Sequence, residues 1–377
     1  MPRISQADKD KMIDKERDAK IDYTGLSETY CIEMGPQFEG EPVRKGDYQV
    51  ELGGPNAKSV GFLRLRGMDE IEDGDMKVIG PDLSELAEGG SHPFGFVIDI
   101  AGEQWEEGME IVPERRIHSY MNYIDGVWQT GARTDSWVRI SKDAFKKGLK
   151  SFKDLGGILR DLYMADFFQV KKVACTFITD EAKVDELIAE AKEIYKARDA
   201  RMKDMTEEEV DVFYSCTLCS AFAPSHVCMI TPERVSSCGA LSWLDGKITH
   251  QIEPGGYVGK HPKGELLDAE NFEYSGINEA VKEKSMGRYD RLFLHSLFGH
   301  PSSSCGCFQA LLFYIPEVDG IGFVHRDYRG DTPNGETFSH MAGEASGGVQ
   351  AEGYLGTAID YLRSKKFLMT DGGHRRR

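Results

Sequence analysis

The chain has 377 residues, which is long enough for two domains that each bury a hydrophobic core. Its 63 aspartate and glutamate residues outnumber 46 lysine and arginine residues, and the net charge of −17 argues against nucleic acid as a general partner. No apolar run is long enough to cross a membrane, and the charged N-terminus is not a signal peptide. The composition therefore predicts a soluble, cytoplasmic protein with no membrane partner.

The first elements along the chain are predicted to be strands. Short apolar runs between Gly, Pro and Asp residues predict a mixed sheet from about residue 45 to residue 140. A helix is predicted to follow, capped by the hydroxyl of Ser141, because apolar residues then recur at three- and four-residue spacing. Gly156 and Gly157 interrupt this pattern, and we expect the helix to bend or break there.

A buried strand and a charged helix come next. The segment VKKVACTFIT is typical of a buried strand, and residues 180–203 have the charge pattern of an amphipathic helix with Thr179 or Asp180 at its cap. Alternating strands and helices indicate layered α/β structure. Beyond about residue 205 the composition changes to Cys, Gly, Ser and aromatic residues, which predicts a domain boundary.

The predicted fold class is α/β and α+β, with two domains of mixed sheets and flanking helices. The predicted divisions are a charged N-terminal arm at 1–25, an α/β domain at 26–205 and a second domain at 206–377. The stretch GEASGGVQAEGYLG has neither a GxGxxG nor a Walker A pattern. It therefore predicts turns and close backbone packing rather than a nucleotide-binding loop.

Six of the eight cysteines lie in the second half of the chain and indicate a metal site. Four of them have the spacing C-x2-C-x8-C-x9-C: Cys216, Cys219, Cys228 and Cys238. Four thiolates suit either tetrahedral zinc or a cubane iron–sulfur cluster. A zinc ribbon usually has two CxxC knuckles and this sequence has one, so the spacing modestly favours iron and leaves zinc open.

The triplet Cys305-Gly306-Cys307 indicates a different kind of site. Two thiolates and the two backbone nitrogens between them can surround one ion in a plane, a geometry that Ni(II) and Cu(II) prefer. A central glycine removes the side chain that would hinder so tight a wrap. By itself the triplet also fits a buried turn or a redox dithiol. Cys31 and Cys175 are interpreted as buried small hydrophobic residues.

Taken together, these motifs resemble a known family. FYSCTLCSAFAPSHVC, the following Cys238 and SCGCF are similar to the acetyl-CoA synthase subunit of the carbon monoxide dehydrogenase/acetyl-CoA synthase complex. TDSWVRISKDAF and GETFSHMAGEASGGVQAEGYLG extend the similarity over most of the chain. The large N-terminal domain of bacterial members is missing, so the chain resembles the shorter archaeal type, the β subunit of the acetyl-CoA decarbonylase/synthase complex. Family members also continue beyond the C-terminal GGHRRR.

The resemblance implies a nickel–nickel–[4Fe-4S] centre, the A-cluster, in the C-terminal domain. It implies that the [4Fe-4S] cluster is held by Cys216, Cys219, Cys228 and Cys238. A proximal nickel would be bound by the sulfurs of Cys219, Cys305 and Cys307. A distal nickel would be bound by the two sulfurs of the triplet and by the backbone nitrogens of Gly306 and Cys307.

The implied activity is the reversible assembly of acetyl-CoA from CO, a methyl group and coenzyme A, in which the metal carries the difficult step. The implied partners are a corrinoid iron–sulfur protein as methyl donor, a carbon monoxide dehydrogenase subunit as CO source and a ferredoxin-like reductant. Phe222 occupies the family's position for an aromatic ring against the proximal nickel, and a plain core role is the alternative.

Coenzyme A carries phosphates, so an acidic protein needs a local basic pocket to bind it. The candidate residues are Arg115, Arg116, Arg133 and Arg139, with Trp128 or Trp137 as a stacking surface for the adenine. The alternative is that these arginines form ordinary surface pairs with nearby acids.

His226 and His300 lie close to the cysteines in sequence, and we expect them to pack or to support ligands because thiolates already fill the soft-metal positions. Two other functions remain open from the residues. One is an iron–sulfur electron-transfer protein in which the triplet is a dithiol, and the other is a zinc-stabilised interaction module. Nickel content separates these alternatives from the enzyme.

Overall fold

The structure is a computed structural model that describes residues 21–105, 107–220 and 222–373. The chain forms two compact units, the first ending at Arg198 and the second beginning at Asp199. Within the described ranges, no helix combines the length and the apolar character needed to cross a bilayer.

The first unit contains, in its described part, eight strands and five α-helices. The strands are β1 Tyr48–Leu52, β2 Ser59–Arg66, β3 Met76–Ile79, β4 Gly90–His92, β5 Phe94–Gly102, β6 Val127–Ala132, β7 Asp135–Ser141 and β8 Val170–Ile178. The helices are α1 Tyr23–Tyr30, α2 Ile111–Asn122, α3 Lys142–Lys147, α4 Phe152–Asp166 and α5 Glu181–Ala200.

Two mixed four-stranded sheets organise this unit, which confirms the predicted fold class. One sheet has the order β2-β5-β8-β3, with β5 and β8 antiparallel and each outer strand parallel to its neighbour. The other has the order β4-β1-β7-β6, in which β4 and β1 are the parallel pair. Helix α5 covers the first sheet, since its Val184 and Leu187 pack against Phe62 and Val97.

The single helix predicted from Ser141 is two helices, and the break lies earlier than predicted. Ser141 caps α3, because its Oγ accepts a hydrogen bond from the amide of Ala144 at 3.0 Å. Gly148 then ends α3 with a φ of 145°, a conformation that favours glycine. Ser151 starts α4 through a capping box with Asp154.

Helix α4 runs straight through the glycine pair where a break was expected. A Cβ at Gly156 would lie 2.5 Å from the sulfur of Met76 and 3.0 Å from the ring of Phe177. The missing side chain therefore lets α4 approach the sheet closely. In a sequence, glycine often marks a helix break. Here Gly156 lies within the helix, and close packing against the sheet accounts for the absence of a side chain.

Other local predictions for this unit have mixed outcomes. The strand predicted at VKKVACTFIT is β8, and the helix predicted at 180–203 is α5, with the Asp180 side chain accepting from the Lys183 amide at 2.9 Å. Cys175 is buried as predicted, but the prediction for Cys31 is wrong, since it is exposed at the end of α1. The charged arm predicted at 1–25 falls mainly on residues 1–20, which lie outside the described residues.

The described part of the second unit contains eight strands and four α-helices. The strands are β9 Val212–Cys216, β10 Cys228–Ile230, β11 Val258–Pro262, β12 Leu266–Asp268, β13 Glu273–Tyr274, β14 Ala310–Ile315, β15 Gly320–His325 and β16 Tyr354–Thr357. The helices are α6 Trp243–Ile252, α7 Ser275–Lys284, α8 Phe338–Ala345 and α9 Lys365–Met369. The three sheets have the orders β10-β9-β11, β12-β13 and β15-β14-β16.

Strand β14 is the centre of one of these sheets and has a buried cluster on each face. Leu311 and Phe313 belong to a cluster with residues of α8, whereas Leu312 between them belongs to a second cluster that includes Leu355 of β16. Alternate residues of a strand point to opposite faces, so the run ALLFYI fills both clusters. The rigid start of this strand fixes the position of Cys307, three residues earlier.

Candidate metal centre

The first cysteine loop connects two paired strands. Strand β9 ends at Cys216 and β10 begins at Cys228, and these two residues are direct neighbours across the antiparallel pair. Between them the chain forms a tight turn around Cys219, whose carbonyl accepts hydrogen bonds from the amides of Phe222 and Ala223 at 3.2 and 3.0 Å. The strands therefore place two cysteines side by side and present Cys219 on the turn that joins them.

Cys238 returns to the same place through a second turn. The amide of Ser237 donates a hydrogen bond to the Sγ of Cys228 at 3.3 Å, and the Oγ of Ser236 lies 3.5 Å from the Sγ of Cys238. Burial raises the pKa of the Cys228 thiol, because a thiolate is poorly solvated there. Hydrogen bonds to sulfur act in the opposite direction and favour the thiolate that a metal needs.

The triplet at 305–307 forms a narrow turn just before β14. Gly306 has a φ of 124°, its amide donates to the Oγ of Ser304 at 3.3 Å, and the amide of Cys307 approaches the Sγ of Cys305 at 3.3 Å. A Cβ at Gly306 would be 3.5 Å from the Cβ of Ser346, which is ordinary contact. The backbone conformation at Gly306 therefore favours glycine, and hindrance of a metal-binding turn by a side chain stays a prediction.

Three thiols from the two loops meet at one point. The Sγ atoms of Cys219, Cys305 and Cys307 all lie within 4.8 Å of one another, with Cys307 buried and the other two half-buried. Hydrogen bonds with Cys305 and then with Cys307, together with burial, raise the pKa of the Cys219 thiol well above its ordinary value. Three thiolates this close repel one another, so a soft cation is what stabilises the deprotonated set.

The close group of thiols fits a shared metal ion. Thiolates that share one ion must approach closely, and Cys219, Cys305 and Cys307 do so. Within the described ranges, Cys216, Cys228 and Cys238 belong to no such close group. Cys216 and Cys228 face each other across the strand pair, and the turn before Cys238 contacts the Sγ of Cys228. Binding of an iron–sulfur cluster by these residues stays a prediction.

The two histidines support the loops through contacts. His226 is buried, its Nδ1 lies 3.0 Å from the Oγ of Ser303, and burial lowers its pKa to about 4, so the ring is neutral at neutral pH. The ring of His300 packs edge-on against Phe293 with ring centres 5.3 Å apart. The sequence did not identify Ser303 as functional, although the run SSS directly before the triplet was a visible signal.

Among the residues predicted to bind coenzyme A, one group forms a tight cluster in the first unit. The Nη2 and Nη1 atoms of Arg139 contact the carboxylate of Glu51 at 2.7 Å and the carbonyl of Val43 at 3.0 Å. The guanidinium lies over the ring of Trp137 at 4.7 Å, and the indole nitrogen of that ring also donates to Glu51. Trp128 packs edge-on against Trp137. Arg139 thus pairs with an acid as in the alternative, but the partner Glu51 is buried and the pair is not an ordinary surface pair.

The other predicted arginines have different surroundings. The Nε of Arg116 lies 3.2 Å from the carboxylate of Asp166, and the guanidinium of Arg133 lies over the ring of Tyr195 at 4.7 Å. Burial would raise the pKa of Glu114, but the charge and hydrogen bond of Arg198, and to a smaller extent the charge of the neighbouring Arg115, hold that pKa below its ordinary value. A role for Arg115, Arg116 and Arg133 in binding coenzyme A stays a prediction.

Comparison with known proteins identifies the family. A family model described as CO dehydrogenase/acetyl-CoA synthase complex beta subunit matches residues 30–184, and one for the C-terminal part of the ACS/CODH beta subunit matches residues 195–377. The chain is 48% identical over 347 residues to acetyl-CoA decarbonylase/synthase complex subunit beta 2 of Methanosarcina thermophila, covering 92% of this chain and 73% of that protein. It is 47% identical over 350 residues to the acetyl-CoA decarbonylase/synthase complex subunit beta of Archaeoglobus fulgidus, covering 93% of this chain and 67% of that protein. The chain therefore belongs to the family of the CO dehydrogenase/acetyl-CoA synthase complex β subunit, as the cysteine motifs had suggested.

Proposed function

We propose that this chain catalyses the reversible assembly of acetyl-CoA from CO, a methyl group and coenzyme A at a centre held by six cysteines. The observation that carries the proposal is the convergence of the thiols of Cys219, Cys305 and Cys307 within 4.8 Å. This convergence joins two loops that are far apart in the sequence. The names of the relatives, subunits of an acetyl-CoA decarbonylase/synthase complex, support the same reaction.

In this proposal the cysteines have separate duties. Cys216, Cys219, Cys228 and Cys238 would hold a [4Fe-4S] cluster. The thiolates of Cys305 and Cys307, with Cys219 and the backbone nitrogens of Gly306 and Cys307, would hold nickel. When bound, nickel with an open coordination position supplies the carbon-binding chemistry of the reaction.

The protein itself contributes position and access. Cys307 is buried three residues before β14, so one side of the thiol group is closed to water. Cys219 and Cys305 are half-buried, so the other side remains accessible to small reactants. The backbone of Phe222 is tied to Cys219 by its amide hydrogen bond, and we propose that its ring covers the nickel bound by that cysteine.

The partners and the coenzyme A site are further parts of the proposal. Assembly of acetyl-CoA requires a methyl donor, a CO source and an electron source, for which we propose a corrinoid iron–sulfur protein, a carbon monoxide dehydrogenase subunit and a ferredoxin-like reductant. For the phosphates of coenzyme A we propose Arg115, Arg116 and Arg133, with Trp128 for the adenine. Six cysteines that must stay reduced to bind metal require a reducing compartment, so we propose that the protein is cytoplasmic.

Metal analysis of protein reconstituted anaerobically with iron, sulfide and Ni²⁺ tests the proposal. We expect about two nickel and about four iron per chain, with nickel lost and iron kept in Cys305→Ala. Cys175→Ala is the matched control, because this buried thiol lies in β8, outside the metal centre. Iron without nickel in the wild-type chain would instead favour electron transfer, and retention of zinc alone would favour a structural module.

A further inference from the structure

The metal centre depends on two loops whose relative position must be held. The loop at 216–228 supplies Cys219, and the loop at 302–307 supplies the other two thiols of the close group. Ser303 links the two loops directly. Its Oγ lies 3.0 Å from the Nδ1 of His226 and accepts a hydrogen bond from the amide of Val227 at 3.4 Å. A third segment, directly after helix α8, touches both loops.

This segment is Gly347-Gly348, which we call the glycine clasp. The amide of Gly348 donates to the carbonyl of Ser304 at 2.8 Å, and the amide of Gly347 donates to the carbonyl of Cys305 at 3.5 Å. The carbonyl of Gly348 accepts from the Oγ of Ser225 at 3.0 Å. One peptide segment thus binds the triplet loop through its nitrogens and the first cysteine loop through its oxygen.

Two side chains fix the direction and strength of these bonds. Arg288 has no acceptor atom, so the Oγ of Ser225 accepts from its Nη1 at 3.0 Å and uses its own proton on Gly348. The hydroxyl of Tyr289 donates to the same carbonyl at 2.8 Å and accepts from the amide of Gln350 at 3.2 Å. The carbonyl of Gly348 therefore uses both lone pairs.

The two glycines of the clasp have the same backbone conformation but different surroundings. Gly347 and Gly348 have φ values of 74° and 79°. A Cβ at Gly348 would lie 2.7 Å from the Oγ of Ser225 and 3.0 Å from the amide nitrogen of His226, whereas a Cβ at Gly347 would have no atom within 4 Å. An added methyl would push the first cysteine loop away only at position 348.

We propose that the glycine clasp and Tyr289 are positioning elements that set the distance between Cys219 and the Cys305–Cys307 pair. They touch no ligand atom, and they act by holding the two loops in the register that lets three sulfurs share one ion. This inference rests on the proposed function, in which those three sulfurs bind nickel. It assigns a role to the glycine-rich segment and to Tyr289 beyond the turns predicted from the sequence.

Nickel affinity of the iron-loaded chain tests this proposal, with Ni²⁺ as the probe. We expect Gly348→Ala to bind Ni²⁺ about tenfold more weakly while keeping its iron, because the methyl separates the two loops. Gly335→Ala is the matched control: Gly335 also has a left-handed φ of 80° and no atom within 4 Å of an added Cβ, but it lies outside the clasp, so the nickel affinity should stay within about twofold of wild type. Iron content and the unfolding midpoint are measured on every variant.

Tyr289→Phe provides a second test that adds no atoms. Loss of its two hydrogen bonds should weaken Ni²⁺ binding by about five- to tenfold, again with iron unchanged. Wild-type affinity in both Tyr289→Phe and Gly348→Ala, or an equal loss in Gly335→Ala, would overturn the proposal. If Gly348→Ala fails to fold, Tyr289→Phe alone decides between these outcomes. An iron-loaded wild-type chain that binds no Ni²⁺ would instead refute the proposed function on which the inference rests.

Discussion

The substitution Gly306→Val should weaken nickel binding and leave iron binding unchanged, which distinguishes the two parts of the proposed metal centre. Its φ of 124° lies where residues with a side chain are rarely found. Without metal, the turn of the variant can relax to an ordinary conformation. Binding of an ion by both sulfurs and the nitrogens between them requires the wrapped turn, so the strain weakens metal binding.

The size of the effect follows from the backbone conformation. Strain of this kind costs about 1–3 kcal/mol, which corresponds to a factor of about 5 to 140 in a binding constant. A Cβ would lie 3.5 Å from Ser346, so Gly306→Ala tests conformation alone, while the branched side chain of Gly306→Val adds crowding. The loss of nickel affinity should therefore be near the upper end of this range for Gly306→Val and near the lower end for Gly306→Ala.

The assay is a Ni²⁺ titration of iron-loaded protein, followed by nickel and iron analysis. Gly335→Ala is the control, because this residue has a φ of 80° with no atom within 4 Å of an added Cβ, in a turn closed on Thr332. We expect its nickel affinity to be unchanged. Wild-type nickel affinity in Gly306→Val, or loss of iron in parallel with nickel, would refute the reasoning.

Three further predictions concern single side chains. Burial would raise the pKa of the Asp99 carboxyl, but hydrogen bonds from Arg64 and Arg66 outweigh it and hold that pKa below its ordinary value. Asp99 therefore contributes stability at neutral pH, and this contribution is lost as the pH falls through its folded pKa. The substitution Asp99→Asn should lower the free energy of unfolding in urea by about 2 kcal/mol at pH 7. It should also flatten the decline of that free energy with falling pH below about pH 4. Arg139→Gln should lower stability, because Glu51 loses its ion pair, while leaving coenzyme A affinity within about twofold by calorimetry. A large affinity loss with unchanged stability would contradict that interpretation. Phe222→Ala should keep its nickel and iron by metal analysis but lose most acetyl transfer; full activity would show that the ring has only a packing role.

The sequence predicted the elements whose patterns are local. Strand β8 and helix α5 follow directly from an apolar run and from a charged periodicity. The helix after Ser141 was predicted less well, because its break depends on the conformation of Gly148 and on the cap at Ser151. The role of Gly156 was not predictable either, since it depends on how closely α4 approaches Met76.

The candidate metal ligands were identified from the sequence for a different reason, and their binding of metal stays a prediction. Cysteine spacing within each loop is a strong pattern, and thiolate chemistry limits what two such loops can bind. The contacts between the loops were not predictable, because they involve the carbonyl of Gly348 and the hydroxyls of Ser225 and Tyr289. Backbone atoms and single hydroxyls leave no periodic pattern in a sequence. Likewise, the ion pair between Arg139 and Glu51 joins residues far apart in the chain.

The most direct test of the central claim is the exchange of labelled CO with the carbonyl group of acetyl-CoA, measured on chain loaded with nickel and iron under reducing, anaerobic conditions. We predict exchange in the wild-type chain and in Cys175→Ala, and none in Cys305→Ala. No exchange in the fully loaded wild-type chain, or undiminished exchange in Cys305→Ala, would contradict the assignment of the three-thiol group as the place where acetyl-CoA is assembled.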